Sequence, residues 1–376
     1  MLHIFFLLLH VYKISTGIPY HLVFDESSVY THSVWKEKLF ALQLRGSAQS
    51  MLDEEVSRNL FKEFMNIFER SYKHDEEYHQ RFQHFKESLR RHAVSNEREK
   101  RLNGTAKYGI NKFADWSKEE FENLFSDVQP QRDKYVSMSN NFKPMDVVAE
   151  TENIQTPCLL HRRNPDKIDW RKKITAIKDQ KSCGSCWAFV GAEQVETYWA
   201  ISGNPLMELS PQELLSCSPY MGCEGGNTCA ALRWLIDMDR VLVTEKAYPY
   251  EGKDSKCQYR NLTDVGPKIS HVCGCKPVVK NEEYMLYSLS QKGPLGVNVD
   301  AVLWRDYIGG IIQHHCTHRL MNHAVQLVAY YLKDGPVPYY VARNQWGRSF
   351  GEDGFVRIKY GGNVCGVAQE PSFIEL

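Results

Sequence analysis

Cys186 is the residue whose type and setting most clearly indicate chemistry. It lies in the run QKSCGSCWAF at 180–189, where we predict that a helix begins, because apolar residues from Phe189 to Trp199 recur at helical spacing and Gly203 can end it. A thiol at a helix N-terminus lies near the positive end of the helix dipole and beside unpaired N–H groups, and both favour the thiolate. A thiolate attacks carbonyl carbon atoms. We therefore predict that Cys186 is a nucleophile.

The pair Cys183 and Cys186 has three other interpretations: half of a zinc site, a redox dithiol, or one end each of two disulfide bonds. A zinc site requires a second close pair of suitable spacing. Cys273 and Cys275 are the other tight pair, and a single intervening residue is a poor spacing for zinc. A redox dithiol requires a thioredoxin-like βαβ setting, which the sequence does not indicate.

A nucleophilic cysteine needs a general base, and histidines late in the chain are candidates. His323 precedes the apolar run Ala324–Val328, so a base there would be held rigidly at the start of a buried strand. The other candidates stand in a polar loop that could instead hold a metal ion: His314, His315 and His318, with Cys316. Adjacent histidines on an extended chain point to opposite faces, which argues against joint ligation. We predict His323 as the base, with no metal or other cofactor.

The run RNQWG at 343–347 contains groups that could orient this base. The Asn344 amide oxygen can accept a hydrogen bond from an imidazole N–H and fix its tautomer, and Trp346 can keep water from that bond. A loop asparagine beside a packed tryptophan is the alternative. Acyl transfer also needs donors for the developing oxyanion, which the Cys186 backbone N–H and the Gln180 side-chain amide could provide.

The region before these residues is helical and then irregular in pattern. Residues 53–100 are highly charged, with phenylalanines at helical spacing. Tyr108–Phe113 alternates like a short strand, and Ser117–Glu120 is a capping-box start for another helix. Residues 126–165 carry four prolines among polar residues without a clear period, which predicts an extended linker.

The region from Ile168 onward indicates helices first and strands later. Helical patterns fall at 186–202, 210–216, 228–238 and 281–292. Strand patterns fall at 295–299, 324–331, 339–343 and 354–360. This order predicts an α+β fold with two segregated halves.

Charge, hydropathy and cysteine content limit the function classes. The 376 residues contain 46 Lys and Arg and 46 Asp and Glu, which gives no support to binding of nucleic acid or of a membrane through a basic patch. Ile4–Leu9 is an apolar run before small residues; it predicts a signal peptide over 1–17, with a buried strand as the alternative. No other stretch of 18 apolar residues occurs, so we expect no membrane span in the mature form. Ten of the eleven cysteines lie at or after Cys183, which predicts disulfide bonds there.

Several separated motifs together resemble those of the papain-like cysteine peptidases. The run CGSCW at 183–187 matches the signature around the family's nucleophile, with His323 and Asn344 far downstream. Further matches are CEGG at 223–226, YPY at 248–250 and NVCG at 363–366. The likeness runs from residue 165 to the last residue. It implies a papain-like two-domain fold, with a helical left domain carrying Cys186, a β-barrel-like right domain carrying His323, and a substrate cleft between them.

By this resemblance the protein is a cysteine-type peptidase that hydrolyses peptide bonds in peptides or proteins. Cys186 would attack the carbonyl and form a thioester, with His323 as its ion-pair partner. Asn344 would orient His323, and Trp346 would shield their hydrogen bond. The Gln180 amide and the Cys186 N–H would form the oxyanion hole.

Two residues depart from the family pattern: Gln345 stands where Ser is usual, and Phe350 where Trp is usual. Both departures lie behind the catalytic residues, so we expect tuned rather than lost activity. The alternative is a catalytically impaired binding protein on the same fold. A stand-alone inhibitor made of residues 53–125 is a third class, which would lack the catalytic part found here.

The resemblance implies a set of substrate-binding residues: Gly225, Gly226, Asn227, Thr228, Asn298, Ala324 and Glu370. Glu370 would floor S2, the pocket for the P2 side chain, which is the second residue before the scissile bond. With Asn227, Thr228 and Asn298 around it, this pocket is expected to accept a basic or polar P2 side chain. A surface position for Glu370 is the alternative.

The upstream part resembles the inhibitory propeptides of the family's cathepsin-L-like members. The matching residues are Glu77, Arg81, Phe85 and Asn96, then Gly109, Asn111, Phe113 and Asp115. Ser88 and His92 replace the usual Asn and Ile. The likeness implies a zymogen whose own propeptide lies through the cleft, and acid is expected to assist its release because carboxylates such as Asp115 lose charge. Cystatin-like inhibitors are expected partners, and a monomer is the expected state.

The predicted organisation is a signal peptide (1–17), an N-terminal extension (18–52), a helical inhibitor domain (53–125), an extended propeptide linker (126–164) and the peptidase domain (165–376). The expected destination is the lysosome or the extracellular space. Sequons at Asn103 and Asn261 predict a glycoprotein if the chain enters the secretory pathway.

The same resemblance implies three disulfide bonds: Cys183–Cys223, Cys217–Cys257 and Cys316–Cys365. Cys158, Cys229, Cys273 and Cys275 are left over. Cys229 could pair with Cys273 or with Cys275, and the sequence does not choose between them.

Overall fold

The computed structural model describes residues 53–125, 164–220, 222–258, 264–279, 281–317 and 320–376. The predicted signal peptide (1–17), the N-terminal extension (18–52) and the predicted linker up to residue 163 lie outside the described residues.

The predicted helices are present, and their ends lie within two residues of the expected positions after residue 165. In chain order the α-helices of the described residues are α1 (Glu54–Ile67), α2 (Asp75–Arg101), α3 (Lys118–Glu122), α4 (Cys186–Ile201), α5 (Pro211–Cys217), α6 (Thr228–Asp237) and α7 (Glu283–Gln291). The predicted capping box begins α3: the Ser117 hydroxyl accepts from the Glu120 N–H while the Glu120 carboxylate accepts from the Ser117 N–H.

The predicted strands are also present, with one difference. The strands are β1 (Lys107–Tyr108), β2 (Lys167–Asp169), β3 (His271–Gly274), β4 (Leu295–Val299), β5 (Tyr307–Gly309), β6 (Ile311–Ile312), β7 (His323–Tyr331), β8 (Tyr339–Arg343), β9 (Phe355–Lys359) and β10 (Ser372–Glu375). The strand expected over Tyr108–Phe113 stops at Tyr108. It stops because the Asn111 side-chain oxygen accepts from the Phe113 N–H at 2.9 Å, which closes a turn.

Most strands form one sheet in the order β3-β10-β4-β7-β8-β9-β6, and β2 adds to β7 beyond the end of β4. All pairings in it are antiparallel except β6 with β9. The two end strands do not pair with each other, so in the described part of the chain the sheet stays open rather than closing into a barrel. Helices before strands and a largely antiparallel sheet confirm the α+β class.

Helices α1 and α2 share an aromatic core. Phe61 and Phe64 of α1 face Phe82 and Phe85 of α2, and all four are at most 1% exposed. The Phe61 and Phe85 ring centroids are 5.1 Å apart. Because burial of each ring removes a large apolar area from water, this core holds the helix pair together. The unit docks on the remainder through β1, which pairs with β5.

Helix α4 packs across β7, and this contact positions the chemistry. Every residue of α4 except Trp199 and Ile201 is buried. All of β7 except Tyr331 is buried too. Cys186 begins α4 and His323 begins β7, and Cys186 belongs to the same buried cluster as Ala324, the residue after His323.

Four disulfide bonds join described cysteines: Cys183–Cys223, Cys217–Cys257, Cys229–Cys275 and Cys316–Cys365. Three of them are the pairs that the resemblance implies. Cys229, whose partner the sequence left open, pairs with Cys275. Among the described cysteines, Cys186 and Cys273 are the two outside these four disulfide bonds. Cys158 lies outside the described residues.

Candidate active site

The Cys186 thiol lies at the first turn of α4 and is fully buried. It packs in one apolar cluster with Val190 of the same helix and Ala324 of β7. Ala324 directly follows His323, so the sulfur and the imidazole are contributed by neighbouring ends of two packed elements. This is the juxtaposition that a cysteine nucleophile and its base require.

The His323 ring is oriented by Asn344, which follows β8. His323 Nε2 and Asn344 Oδ1 are 2.7 Å apart. Because an amide oxygen can only accept, Nε2 carries the proton and Nδ1 holds the lone pair of the neutral ring. Nδ1 is buried and makes no hydrogen bond to any residue that the structure describes. The tautomer is thus the one in which Nδ1 can take a proton.

Aromatic rings enclose this hydrogen bond. Trp346 stacks on the His323 ring with centroids 4.8 Å apart, and Trp304 meets its edge at 6.1 Å. His323, Asn344 and both tryptophans are fully buried. Burial lowers the pKa of His323 to about 4, and the hydrogen bond to Asn344 opposes this shift.

The Gln180 side chain is held at both ends. Its oxygen accepts from the Trp346 indole N–H at 3.1 Å, which directs the amide nitrogen away. That nitrogen donates to the Cys183 carbonyl at 2.8 Å and to the Leu124 carbonyl at 2.7 Å. Leu124 belongs to the N-terminal unit. A peptide carbonyl of that unit therefore accepts a hydrogen bond from the donor that we predict for the oxyanion hole.

The next residue of the N-terminal unit also covers the site. The Phe125 ring centroid lies 6.5 Å from that of His323. A Cβ added to Gly184 would come within 2.5 Å of the Phe125 carbonyl oxygen, a distance that real side chains do not adopt. Gly184 therefore allows residues 124–125 to pass directly over the start of α4.

Three of the residues predicted for the S2 pocket meet at one carboxylate. The amides of Asn227 and Asn298 both donate to Glu370 Oε2, at 3.0 and 2.5 Å. Burial raises the pKa of Glu370 while the two amides oppose the shift. Thr228 is not part of this cluster, because its hydroxyl donates to the Trp187 carbonyl at 3.1 Å.

The predicted glycine pair lies beside Trp187, the residue after the nucleophile. A Cβ on Gly226 would come within 2.4 Å of the indole ring, so no larger residue fits. Gly225 has φ 147°, which favours glycine. The positive φ of Gly225 and the close contact of Gly226 with the indole ring therefore both favour glycine at these positions.

Comparison with known proteins identifies the family. Residues 164–374 match the family model described as papain family cysteine protease, and residues 61–121 match the cathepsin propeptide inhibitor domain (I29). The chain belongs to the papain family of cysteine proteases. The predicted papain-like fold with a preceding inhibitory propeptide is confirmed, and so is the prediction of a cysteine-type peptidase made as a zymogen.

Individual relatives agree with this assignment. The chain is 39% identical to human cathepsin O over 293 residues, which cover 77% of this chain and 86% of the relative. It is 34% identical to a viral cathepsin of Adoxophyes honmai nucleopolyhedrovirus over 344 residues, 88% of this chain and 95% of the relative. Among solved structures, procathepsin L 3 of the Tenebrio molitor larval midgut is 27% identical with a TM-score of 0.70, covering 85% of this chain and 99% of that one.

The propeptide docks on the protease through aromatic rings around Trp346. Phe113 meets the Trp346 ring edge-on at 5.6 Å and Phe121 at 5.4 Å. Phe350 lies against both Phe113 and Trp346. The ring that shields the His323–Asn344 bond is therefore also the floor on which the propeptide rests.

Polar residues of the two propeptide motifs fix the shape of the propeptide itself. Asn96 pairs with both backbone groups of Tyr108. Arg81 forms a two-pronged ion pair with Glu120. Asp115 accepts from the Tyr72 hydroxyl at 3.0 Å. Glu77 accepts from the Lys73 N–H, and Phe85 lies in the α1–α2 core.

Two other motif residues contact the protease. The Gly109 N–H donates to the Asp306 carbonyl, and the Asn111 side chain donates to the Arg305 carbonyl.

His92, one of the two propeptide departures, contacts the protease. Its Nε2 lies 3.1 Å from Oδ1 of the buried Asp306, and Arg91 binds both oxygens of the same carboxylate at 2.9 and 3.0 Å. These contacts hold the pKa of Asp306 well below its ordinary value, despite burial. Ser88, the other departure, donates to the Phe85 carbonyl within α2.

The loop considered as a metal site has another role. Cys316 is in a disulfide bond, and His315 lies against Tyr108 and Glu99 of the propeptide. His318 lies outside the described residues. Within the part of the chain that the structure describes, no group of three or more histidine, cysteine or acidic side chains is placed to hold a metal ion.

Sequence reasoning missed two residues of the site. Trp304 carried no local signal, because its part in the site is its contact with the His323 ring, which the residues around it do not indicate. Tyr250 was part of a recognised motif but had no assigned role; its hydroxyl donates to the Gln180 carbonyl at 2.7 Å and lies 2.6 Å from the Ser185 hydroxyl. Tyr250 thus ties the loop of Gln180 to the residue before Cys186.

Proposed function

We propose that the mature protein is an endopeptidase that cleaves peptide bonds through a thioester on Cys186. The observation that carries this proposal is the juxtaposition of Cys186, at the N-terminus of α4, with the His323–Asn344 pair at the start of β7. His323 Nδ1 takes the proton of the Cys186 thiol, and the thiolate attacks the peptide carbonyl carbon.

The negative charge that develops on the carbonyl oxygen needs donors already in place. The Gln180 Nε2–H and the Cys186 backbone N–H provide them, since a carbonyl oxygen already accepts from Gln180 in the proenzyme. Collapse of the tetrahedral intermediate breaks the C–N bond, and His323 gives its proton to the leaving amine. Water then hydrolyses the thioester with His323 again as the base.

Trapping of the acyl-enzyme tests this mechanism. An activated ester of a blocked dipeptide should give a burst of one equivalent of alcohol, and acid quench should leave the acyl group on the peptide that contains Cys186. The burst should vanish in Cys186→Ala and persist in Cys273→Ser, the matched change at the other described cysteine outside a disulfide bond. A folded, processed protein without a burst would favour the binding-protein alternative.

The propeptide keeps the zymogen inactive by covering these groups. The Leu124 carbonyl takes the Gln180 donor and Phe125 passes over Gly184, so a substrate carbonyl has no place beside Cys186. Residues 53–125 as inhibitor domain, 126–164 as linker and 165–376 as peptidase domain remain our proposed bounds. Cleavage near 160–168 would separate the propeptide from the enzyme.

Acid release of the propeptide has a different source from the one expected. Burial raises the pKa of Asp115, so its folded surroundings favour the protonated carboxyl, and acid does not weaken them. His323, unlike Asp115, does destabilise the covered state in acid. Its pKa lies below the ordinary value of 6.5, so the covered state loses stability relative to a state with an ordinary histidine as pH falls from 6.5 toward about 4, by up to about 2.5 kcal/mol at pH 4.5.

The S2 pocket is proposed to accept a basic or polar P2 side chain. Glu370 accepts hydrogen bonds from two amides, and the charge of Arg233 acts on it from a greater distance, so a substrate guanidinium or ammonium group could bind it as a direct ion-pair partner. Gly225, Gly226 and Ala324 would provide the backbone edges along which the substrate lies.

The cellular location, glycosylation, oligomeric state and inhibitors of the protein remain predictions. No helix in the described ranges is long and apolar enough to cross a bilayer. We propose a lysosomal or extracellular glycoprotein that acts as a monomer on peptide or protein substrates and is subject to cystatin-like inhibitors.

A further inference from the structure

Gln345 and Glu193 form a buried contact between the Asn344 segment and the nucleophile helix. Gln345 Nε2 donates to Glu193 Oε2 at 3.2 Å, and both residues are fully buried. Glu193 lies in α4 about two turns after Cys186. Since Gln345 directly follows Asn344, this single hydrogen bond joins the residue that orients the base to the helix that carries the nucleophile.

The residue before Asn344 reaches the same carboxylate. Arg343 Nε lies 3.4 Å from Glu193 Oε1, and Arg343 is fully buried. Its Nη2 also donates to the Thr175 hydroxyl and the Ala176 carbonyl, each at 2.8 Å. Asn344 is therefore flanked on both sides by residues that bind Glu193.

The Gln345 backbone holds a second part of the site. Its carbonyl accepts from the Gln180 N–H at 2.8 Å, and Asp179 and Trp346 pair on either side as a β-bridge. A displacement of Gln345 would therefore move Asn344, Trp346 and the Gln180 loop together.

Other charged groups lie around this contact. Burial raises the pKa of Glu193, while Arg343 and Lys178 lower it. Glu196, one turn later, pairs with Lys178 and accepts from the Thr175 hydroxyl. The carboxyl groups of Glu193 and Glu196 thus lie near the cations of Arg343 and Lys178. Gln345 is the neutral donor to Glu193 Oε2, whereas Arg343 approaches Oε1.

We propose that Glu193 and Gln345 are positioning residues for the catalytic reaction. They touch no reacting atom. They fix the distance between the Asn344–His323 pair and α4, so that the imidazole meets the Cys186 sulfur. This inference rests on the proposed roles of Cys186, His323 and Asn344.

The test compares two isosteric changes in otherwise identical full-length proenzymes that are then processed. Gln345→Met removes the donor to Glu193. The matched control is Gln194→Met, in which the neighbouring buried glutamine of α4 loses its hydrogen bonds to Ser372, remote from Asn344. Each processed enzyme is assayed for kcat, KM, Tm and the pH profile of Cys186 alkylation by iodoacetamide.

We expect Gln345→Met to lower kcat by about tenfold with KM within about twofold, and to displace the alkylation profile along the pH axis. Gln194→Met should lower Tm without either effect. The exchanged pair, Glu193→Gln with Gln345→Glu, keeps one carboxylate and one amide in contact and should recover most of the lost kcat.

The outcomes separate the two proposals. A wild-type enzyme that iodoacetamide does not alkylate at Cys186 contradicts the proposed function itself. A reactive wild type, with Gln345→Met indistinguishable from Gln194→Met in kcat and in the alkylation profile, overturns the positioning role alone. If Gln345→Met does not yield folded proenzyme, Gln345→Ser is measured with the same expected and contrary results.

Discussion

The chemistry at the scale of single residues depends on one tautomer. Asn344 accepts from His323 Nε2, which leaves the buried Nδ1 as the basic nitrogen. The sequence could predict the types and order of Cys186, His323 and Asn344, because each has a distinctive local setting. It could not predict Trp304, because no local pattern around that residue indicates its contact with the His323 ring.

The proposed position of Glu370 in the S2 pocket leads to a prediction about the preferred P2 side chain. The processed enzyme should cleave substrates with Arg at P2 faster than those with Leu, and Glu370→Gln should reduce kcat/KM for Arg by about tenfold while changing Leu by less than about twofold. Because burial raises the pKa of Glu370, its carboxyl ionises at a higher pH than that of an ordinary glutamate. The preference for Arg should therefore grow with pH. Cleavage rates of paired fluorogenic substrates measure it.

The matched control for this experiment is Glu375→Gln, at the exposed end of β10. It should leave both substrates unchanged. An enzyme that prefers Leu at every pH, and that does not respond to Glu370→Gln, would show that this carboxylate does not contact the P2 side chain.

At the scale of elements, periodicity predicted α4, β4, β7 and β8 well because each is long or uniformly buried. β1 was predicted too long, since the turn made by Asn111 depends on one side-chain hydrogen bond and not on an alternating pattern. The passage of residues 124–125 over Gly184 could not be derived from local pattern either. It requires knowing how a separate helical unit docks on the protease.

Helix α2 carries a prediction about this docking. Arg91 binds the buried Asp306 through both oxygens, so Arg91→Met leaves that carboxylate with fewer partners and weakens the covered state. Asp306 itself stays charged at pH 4.5, since its pKa lies below its ordinary value. Self-processing of the variant should be about tenfold faster than that of the wild type at pH 4.5, measured by the disappearance of proenzyme on gels.

The neighbouring Arg90→Met, an exposed position on the same helix, is the matched control and should process at the wild-type rate. Each protein is also measured at pH 7.5, where processing should be slower because His323 is neutral with or without the propeptide, so proton uptake no longer favours release. Equal rates for Arg91→Met and wild type would contradict the anchoring role of the ion pair. Equal wild-type rates at the two pH values would contradict acid release.

At the scale of the whole molecule, the proposed catalytic residues are shared between helix α4, strand β7 and the segment that follows β8, and residues 124–125 of the propeptide cover them. The same Trp346 ring covers the His323–Asn344 bond and receives Phe113 and Phe121 of the propeptide. In the proposed mechanism, inhibition and catalysis therefore use one surface. Release of the propeptide exposes a site whose parts are already in place.

The most direct test of this account is the location of a peptidyl epoxide label, determined by mass spectrometry, in the proenzyme and in the processed protein. We predict one label per molecule on Cys186 after processing, none in Cys186→Ala, and little or none on the intact proenzyme. A label on another cysteine, equal labelling of proenzyme and processed enzyme, or a folded processed protein that takes no label would contradict it.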